Sequence, residues 1–537
     1  MKRNILLFIA GLTAFSCSRN VPADQQQDTT EAPAATTVSY SNPVLAGDFA
    51  DPSVVRVGDD YWATATSSEW APLYPILHSK NLVDWEIVGH VFPDKQPDWA
   101  EAHYWAPEIN YDNGKYYIYY TAKKKGGNLC VAVASATSPT GPYTDHGPLV
   151  CQEDGSIDGF PVRDENGALY LIWKEDGNSV QQPTPIWGQR MNEERTALTG
   201  EKFELFRNDP GTWEGGLVEG PAIVRHGDYF YLFYAGDACC GRGCTYGVGV
   251  ARAKSIKGSW EKYAANPILK KNEEWQCPGH GTVVSDGKGN DYLLYHAYNT
   301  KSTVYPGRQG LLDKINWGDD NWPHFNNNSP SITAQVQAGQ HAPEKLDVDA
   351  EFDHTRLAED WQWPVAQKPD YQLTTSNGGQ LVLHALPDKI GTVLGLRTVK
   401  ANYTATAAID KSTLQQGTLA GLAAIGDQDN AIGIAVQPGT IELWTMKGGT
   451  MTTIAKAAAP AENLIRLQLT ATNGDQLRFA WSTDGTTWHN LNNGEAIDAA
   501  YLPPWDRGVR VGLTAKGPTS ATVAFDWFRL TNQVAQK

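Results

Sequence analysis

Three acidic residues stand in surroundings that surface carboxylates seldom have. Asp51 lies in Gly47-Asp-Phe-Ala-Asp51-Pro-Ser53, Asp158 in Gly155-Ser-Ile-Asp158-Gly-Phe-Pro161, and Glu219 in Gly215-Gly-Leu-Val-Glu219-Gly-Pro-Ala222. Flanking Gly and Pro indicate a tight backbone with little room for side chains other than the carboxylate. Hydrolysis of a glycosidic bond needs two carboxyl groups on opposite sides of that bond. A third acid nearby would raise the pKa of one member, leaving it protonated near neutral pH and able to donate. Turn capping accounts for any one of the three taken singly. Asp48 rivals Asp51 on chemistry alone.

Their placement in a repeat binds the three together. A small turn followed by an aromatic strand recurs five times between residues 54 and 300, with equivalent tyrosines at 61, 117, 170, 231 and 292. The steps are 56, 53, 61 and 61 residues, a period that signals a propeller. Asp, Asn and Gly at each turn tolerate positive φ, and the flanking aromatics suit a pleated surface. Asp51 precedes its tyrosine by ten residues, Asp158 and Glu219 by twelve. In a five-bladed propeller that common offset puts all three on innermost strands converging on one axis. A second recurring phrase, ending in Trp85, Tyr143 and Trp260, marks the outer turns of blades.

After Trp317 the texture changes to irregular turns, and from Leu346 onward to short alternating strands ending in Thr522-Val-Ala-Phe-Asp-Trp-Phe-Arg-Leu530, the pattern of a β-sandwich. The chain is therefore expected to be all-β: a propeller over 39–330, a linker over 331–346 and a sandwich over 347–537. Lys2-Arg3, the apolar stretch Ile5 to Phe15 and Ala14-Phe-Ser-Cys17 resemble a lipoprotein signal over 1–17, too short for a permanent membrane span. Residues 18–38 read as a flexible tether, so the protein is expected to be exported and anchored through acylated Cys17, at the periplasmic or cell-surface side. An even set of six further cysteines, 130, 151, 239, 240, 244 and 277, allows disulfides. Cys239-Cys240-Gly-Arg-Gly-Cys244 lacks a C-x-x-C partner or nearby His, which argues against zinc. Sixty acidic against 44 basic side chains give a charge of −16, contrary to the basic footprint that nucleic acid requires.

The motifs Ala50-Asp51-Pro-Ser, Trp105-Ala-Pro-Glu108, Ser156-Ile-Asp158, Glu219-Gly-Pro and Gly279-His280-Gly281, in that order, resemble glycoside hydrolase family 43. The resemblance covers roughly residues 40–320. It implies an inverting exo-glycosidase acting on arabinose- or xylose-containing plant glycans. By position, Asp51 matches the general base, Glu219 the general acid, and Asp158 the acid that raises the pKa of Glu219 and orients it. Arg308 matches an arginine that reaches sugar hydroxyls, and His280 a histidine near the axis, where a structural Ca2+ stays open though no cofactor is required. Trp105, Glu108 and Trp70 are further substrate-binding candidates, with Trp173 and Glu214 behind them. The sandwich resembles the concanavalin-like (jelly-roll) domain attached to many members, with glycan binding of its own as the alternative. The leading expectation is an α-L-arabinofuranosidase, because Trp70-Ala-Pro-Leu-Tyr74 departs from the pattern associated with xylosidases. A β-xylosidase or exo-galactosidase is the alternative, and a non-catalytic glycan-binding surface lipoprotein the alternative from another class.

Overall fold

The computed structural model describes residues 37–533 except 303, 338–340, 342–344 and 376–377. The signal segment with Cys17 and nearly all of the tether lie outside the described residues; Thr37 and Val38 already belong to a strand. Five four-stranded antiparallel sheets follow one another in chain order. Their innermost strands are Ser53–Val57, Ala100–Asp112, Ser156–Arg163, Val218–His226 and Trp275–Ser285. The five repeat tyrosines all fall on the second strands: Asp60–Thr64, Lys115–Lys124, Leu169–Glu175, Tyr229–Gly236 and Asp291–Asn299.

Alternation along those second strands sends side chains to both faces of each blade, and the faces meet between blades. Tyr170 and Ile172 pack on Phe230 and Leu232 between the third and fourth blades. Tyr231 and Phe233 pack on Leu293 and Tyr295 between the fourth and fifth. The ring closes where the chain ahead of the first blade meets the fifth: Val44 and Leu45 donate main-chain N–H groups to the Gly310 carbonyl (2.9 and 3.1 Å). Thr37–Ser41 then pairs with Thr333–Gln337, so part of the expected linker is a strand.

A sandwich follows, of a nine-stranded and a six-stranded antiparallel sheet, with an apolar core built from Leu383, Leu422, Leu467, Leu513 and Phe525 among others. It docks on the propeller through buried charge. Arg510 donates to Asp48 Oδ2 (2.9 Å) and to Gln362 Oε1 (2.9 Å), and the Gly508 N–H also donates to Asp48 Oδ2 (3.0 Å). Asp48 is thereby engaged in holding the two domains together, which separates it from its neighbour Asp51. Trp70 proves to belong to the same interface. Trp70–Ala71 pairs with Trp363–Pro364, and the indole, 2% exposed, packs on Val393 and Trp444 of the sandwich. It is an interface residue and not a wall of the pocket.

Removing one partner of a buried ion pair leaves the other charge without compensation and costs about 3–5 kcal/mol. Arg510→Met is expected to lower the denaturation midpoint accordingly; a midpoint equal to the parent's would show that the Asp48 contact holds nothing.

Candidate active site

The innermost strands do not run straight through to the axis. Pairing with the second strand shifts between Ile157 and Phe160, between Glu219 and Ala222, between Trp105 and Glu108, and twice between Gln276 and Gly281. Such bulges re-aim side chains, and here they turn Asp158, Glu219, Trp105 and His280 into one cavity. The backbone is strained where this happens: Asp51, Asp158 and His280 all have positive φ (51°, 60° and 38°), a conformation that non-glycine residues adopt at a cost of about 1–3 kcal/mol. Gly220 permits the close packing of acid and histidine, since a Cβ there would meet His280 Cγ at 2.8 Å.

The cavity, about 550 Å³, is lined by Asp51, Trp105, Asp158, Glu219, His280 and Arg308, and on the sandwich side by Trp505 and Asp506. Asp51 receives Arg308 Nη1 on Oδ1 (2.9 Å) and the Thr66 hydroxyl on Oδ2 (2.7 Å). Its own N–H donates to His296 Nδ1 (3.0 Å). Burial alone would push the Asp51 carboxyl up, but the Arg308 guanidinium holds it well below the usual range. Burial also lowers His296 to about 4, so a neutral imidazole accepts the Asp51 N–H.

Glu219 meets a different set of neighbours. Lys174 donates to Oε2 (2.7 Å) and also to Asp176 Oδ1 (2.8 Å), while the Tyr246 hydroxyl donates to Glu219 Oε1 (2.7 Å). Burial raises the Glu219 carboxyl, yet the charge and hydrogen bond of Lys174, with that of Tyr246, outweigh it and the net direction is down. Asp158 accepts the Gly220 N–H (2.9 Å), and His280 Nδ1 lies 3.9 Å from it and 3.6 Å from Asp51. Burial, reinforced by the charge of Glu219, raises Asp158 to about 6. The resemblance placed the raised pKa on Glu219. In the site without substrate it lies on Asp158, because Lys174 stabilises the ionised glutamate.

The other candidates divide. Trp105 lines the cavity in an edge-on contact with Trp505 (5.9 Å), and its indole N–H is buried without a hydrogen-bond partner. Arg308 also lines it, but its fork is engaged by Asp51 and by the Asp506 carbonyl (3.1 Å), so its first partners are protein groups. Glu108 is not a wall of the cavity. It sits three residues past Trp105 among the innermost strands, accepting the Thr282 hydroxyl (3.0 Å), and burial pushes it up to about 8. Trp173 is fully buried and donates to Gln152, and Glu214 is tied to Lys262 and Tyr234 (2.7 Å each); neither lines the cavity. Among the described residues, no three His, Cys, Asp or Glu side chains are grouped to hold a metal ion. The carboxylates beside His280 are already faced by Arg308 or sit beside the Lys174–Glu219 pair, a poor donor set for Ca2+.

Sequence reasoning overlooked Lys174, Tyr246, Thr66, Trp505 and Asp506. Lys174 carried a signal, being a charged residue inside the otherwise apolar Leu169-Tyr-Leu-Ile-Trp-Lys174. The six cysteines form disulfides, as the even count allows, and the pairing that sequence could not read is Cys130–Cys151, Cys239–Cys240 and Cys244–Cys277.

Comparison with known proteins decides the family. The profile of glycosyl hydrolases family 43 matches residues 40–323, and that of the beta xylosidase C-terminal concanavalin A-like domain matches 349–531. The chain belongs to glycoside hydrolase family 43. It is 26% identical to xylosidase/arabinosidase 43B of Humicola insolens, covering 91% of this chain and 96% of that one. It is 25% identical to the non-reducing end alpha-L-arabinofuranosidase BoGH43B of Bacteroides ovatus, over 91% and 94%. The family 43 protein BlXynB of Bacillus licheniformis superposes with a TM-score of 0.80 at 27% identity, covering 92% of this chain and all of that one.

Hydrolysis with Asp51 as base and Glu219 as acid would need Asp51 ionised and one proton on the Asp158–Glu219 pair, which titrates as a unit. Asp51 stays ionised far into acid, so the proton on the pair sets the pH profile. That proton leaves as pH rises through about 6, and kcat/KM is expected to fall above it. Lys174→Met removes the cation that favours ionised Glu219 and is expected to move the falling limb to higher pH. A limb that stays put or moves lower would contradict this reading of Lys174.

Proposed function

We propose that this glycoside hydrolase is an inverting, exo-acting α-L-arabinofuranosidase that trims arabinose from plant polysaccharide side chains. Asp51 is the base that activates water, Glu219 the acid that protonates the leaving oxygen, and Asp158 the neighbour that holds the shared proton and orients the acid. The observation that carries this reading is the opposite treatment of the carboxyls in one cavity. Arg308 keeps Asp51 ionised, while the Asp158–Glu219 pair keeps a proton up to about pH 6, well above the range in which Asp51 would take one. An enzyme that needs a base and an acid at once requires that separation. The sandwich loop at Trp505 and Asp506 closes one side of the cavity, which suits a chain end over the middle of a polymer.

A β-xylosidase is the second reading, favoured by relatives whose names join both activities. The segment Trp70-Ala-Pro-Leu-Tyr74 no longer separates the two, since Trp70 and Tyr74 are both buried away from the cavity. Three disulfides suit an oxidising compartment and support the exported reading.

Aryl α-L-arabinofuranoside is expected to be cleaved faster than aryl β-D-xyloside, and no release from the arabinoside would sink the first choice. Asp51→Asn should lose at least about a hundredfold in kcat, the scale of general-base catalysis. Glu219→Gln should lose a similar factor on natural glycans. Retention of the parent rate by either variant would remove that residue from the chemistry.

A further inference from the structure

One wall of the cavity is chemically unlike the rest. Cys239 and Cys240, neighbours in sequence, are bridged to each other, and both line the cavity. They lie in the loop that joins Tyr229–Gly236 to Gly247–Ala253 in the fourth blade. Contacts at each end of that loop fix it beside Glu219. At its start, the Asp237 N–H donates to the carbonyls of Glu214 (3.0 Å) and Leu217 (3.2 Å), the latter two residues ahead of Glu219. Just past its end, Tyr246 donates to Glu219 itself. Cys244 is bridged to Cys277, on the strand that carries His280. The crest is tied down as well: the Gly241 N–H donates to the Tyr298 hydroxyl (3.2 Å), and Arg242 donates to the Tyr305 hydroxyl (2.6 Å). A Cβ on Gly241 would stand 3.4 Å from the Trp505 carbonyl, so the loop faces the sandwich residue that narrows the cavity.

Two bridged, adjacent cysteines present sulfur and methylene groups with no hydrogen to donate. Sulfur is polarizable and packs well on flat, weakly polar surfaces, and the C–H face of a pyranose or furanose ring is such a surface. The rest of the lining mixes polar groups, Glu153, Asp154, Asp176 and Asn178 among them, with apolar ones such as Leu129, Ile157 and Leu217. The leaving group is the sugar whose oxygen the acid protonates, so it must lie on the side of the cavity where the acid stands. We propose that the Cys239–Cys240 disulfide, beside the Trp505 loop, is a binding surface for the first sugar of the leaving group. This rests on the reading of Glu219 as the acid. The monosaccharide that is released occupies the other end, against Asp51 and Trp105, and does not touch the sulfur plate.

Calorimetry on the double variant Cys239→Ala/Cys240→Ala tests this, with both the double variant and its parent carrying Asp51→Asn so that the trisaccharides are not consumed; the other two disulfides stay in place. The probes are L-arabinose, D-xylose, arabinotriose and xylotriose. The parent is expected to bind the better trisaccharide more tightly than either monosaccharide. In the variant, the trisaccharide Kd should rise about tenfold, equivalent to 1.4 kcal/mol, while monosaccharide binding stays as in the parent and shows that the variant is folded. Trisaccharide binding equal to the parent's would overturn the inference alone. Equal weakening of monosaccharide and trisaccharide would also overturn it, because the loop would then serve only to support the cavity. A parent that binds none of the four sugars would overturn both the inference and the functional reading on which it rests.

Discussion

The ion pair between Arg308 and Asp51 is the constraint around which this molecule is arranged. Asp51 is buried and carries a positive φ, so an ionised carboxylate there is expensive unless a cation faces it. Arg308 supplies that cation from the fifth blade to a residue just ahead of the first, at the point where the propeller ring closes. Its second nitrogen holds the Asp506 carbonyl of the sandwich. One guanidinium therefore joins the first blade, the last blade and the accessory domain. The Ser68 hydroxyl, donating to Asp506 Oδ2 (3.0 Å), returns the sandwich loop to the propeller on the other side.

Seen this way, the sandwich is part of the catalytic cavity. Asp48 and Arg510 clamp it in place, and Trp505, 60% exposed, projects from it over the edge of Trp105. Two clusters of charge result, built from similar residues with opposite consequences. Around Asp51 the donors converge on one carboxylate and fix it as a permanent anion. Around Glu219 a lysine is shared with Asp176, and a second buried acid stands close by, so the same chemistry leaves one proton distributed over the pair.

The propeller was legible because its signal is local and repeated. A turn, an aromatic strand and a nearly constant step to the preceding acid are visible without knowledge of contacts; the step assigned all three acids to innermost strands, where Asp158 and Glu219 lie, while Asp51 stands two residues ahead of its own, Ser53–Val57. The bulges that aim these side chains left only the neighbouring Gly and Pro as a trace. Trp70 misled for a physical reason: an aromatic beside a proline turn reads alike at a pocket rim and at a domain interface. Asp506 could not be found, since its partner Ser68 is 438 residues away and no local pattern records which loop docks where. Lys174 lies between these cases. A lysine within a buried strand is conspicuous, but only the structure shows that it lowers the Glu219 carboxyl and moves the raised pKa to Asp158.

The account stands or falls on Asp51 activating water on the face of the sugar opposite Glu219. Proton NMR of the first sugar released, followed before mutarotation sets in, reads this directly. The account predicts that the anomer opposite to that of the substrate appears first, β-L-arabinose from an α-L-arabinofuranoside. Initial release of the retained anomer would mean that a carboxylate attacks the sugar itself, and would contradict the assignment of Asp51 as a base.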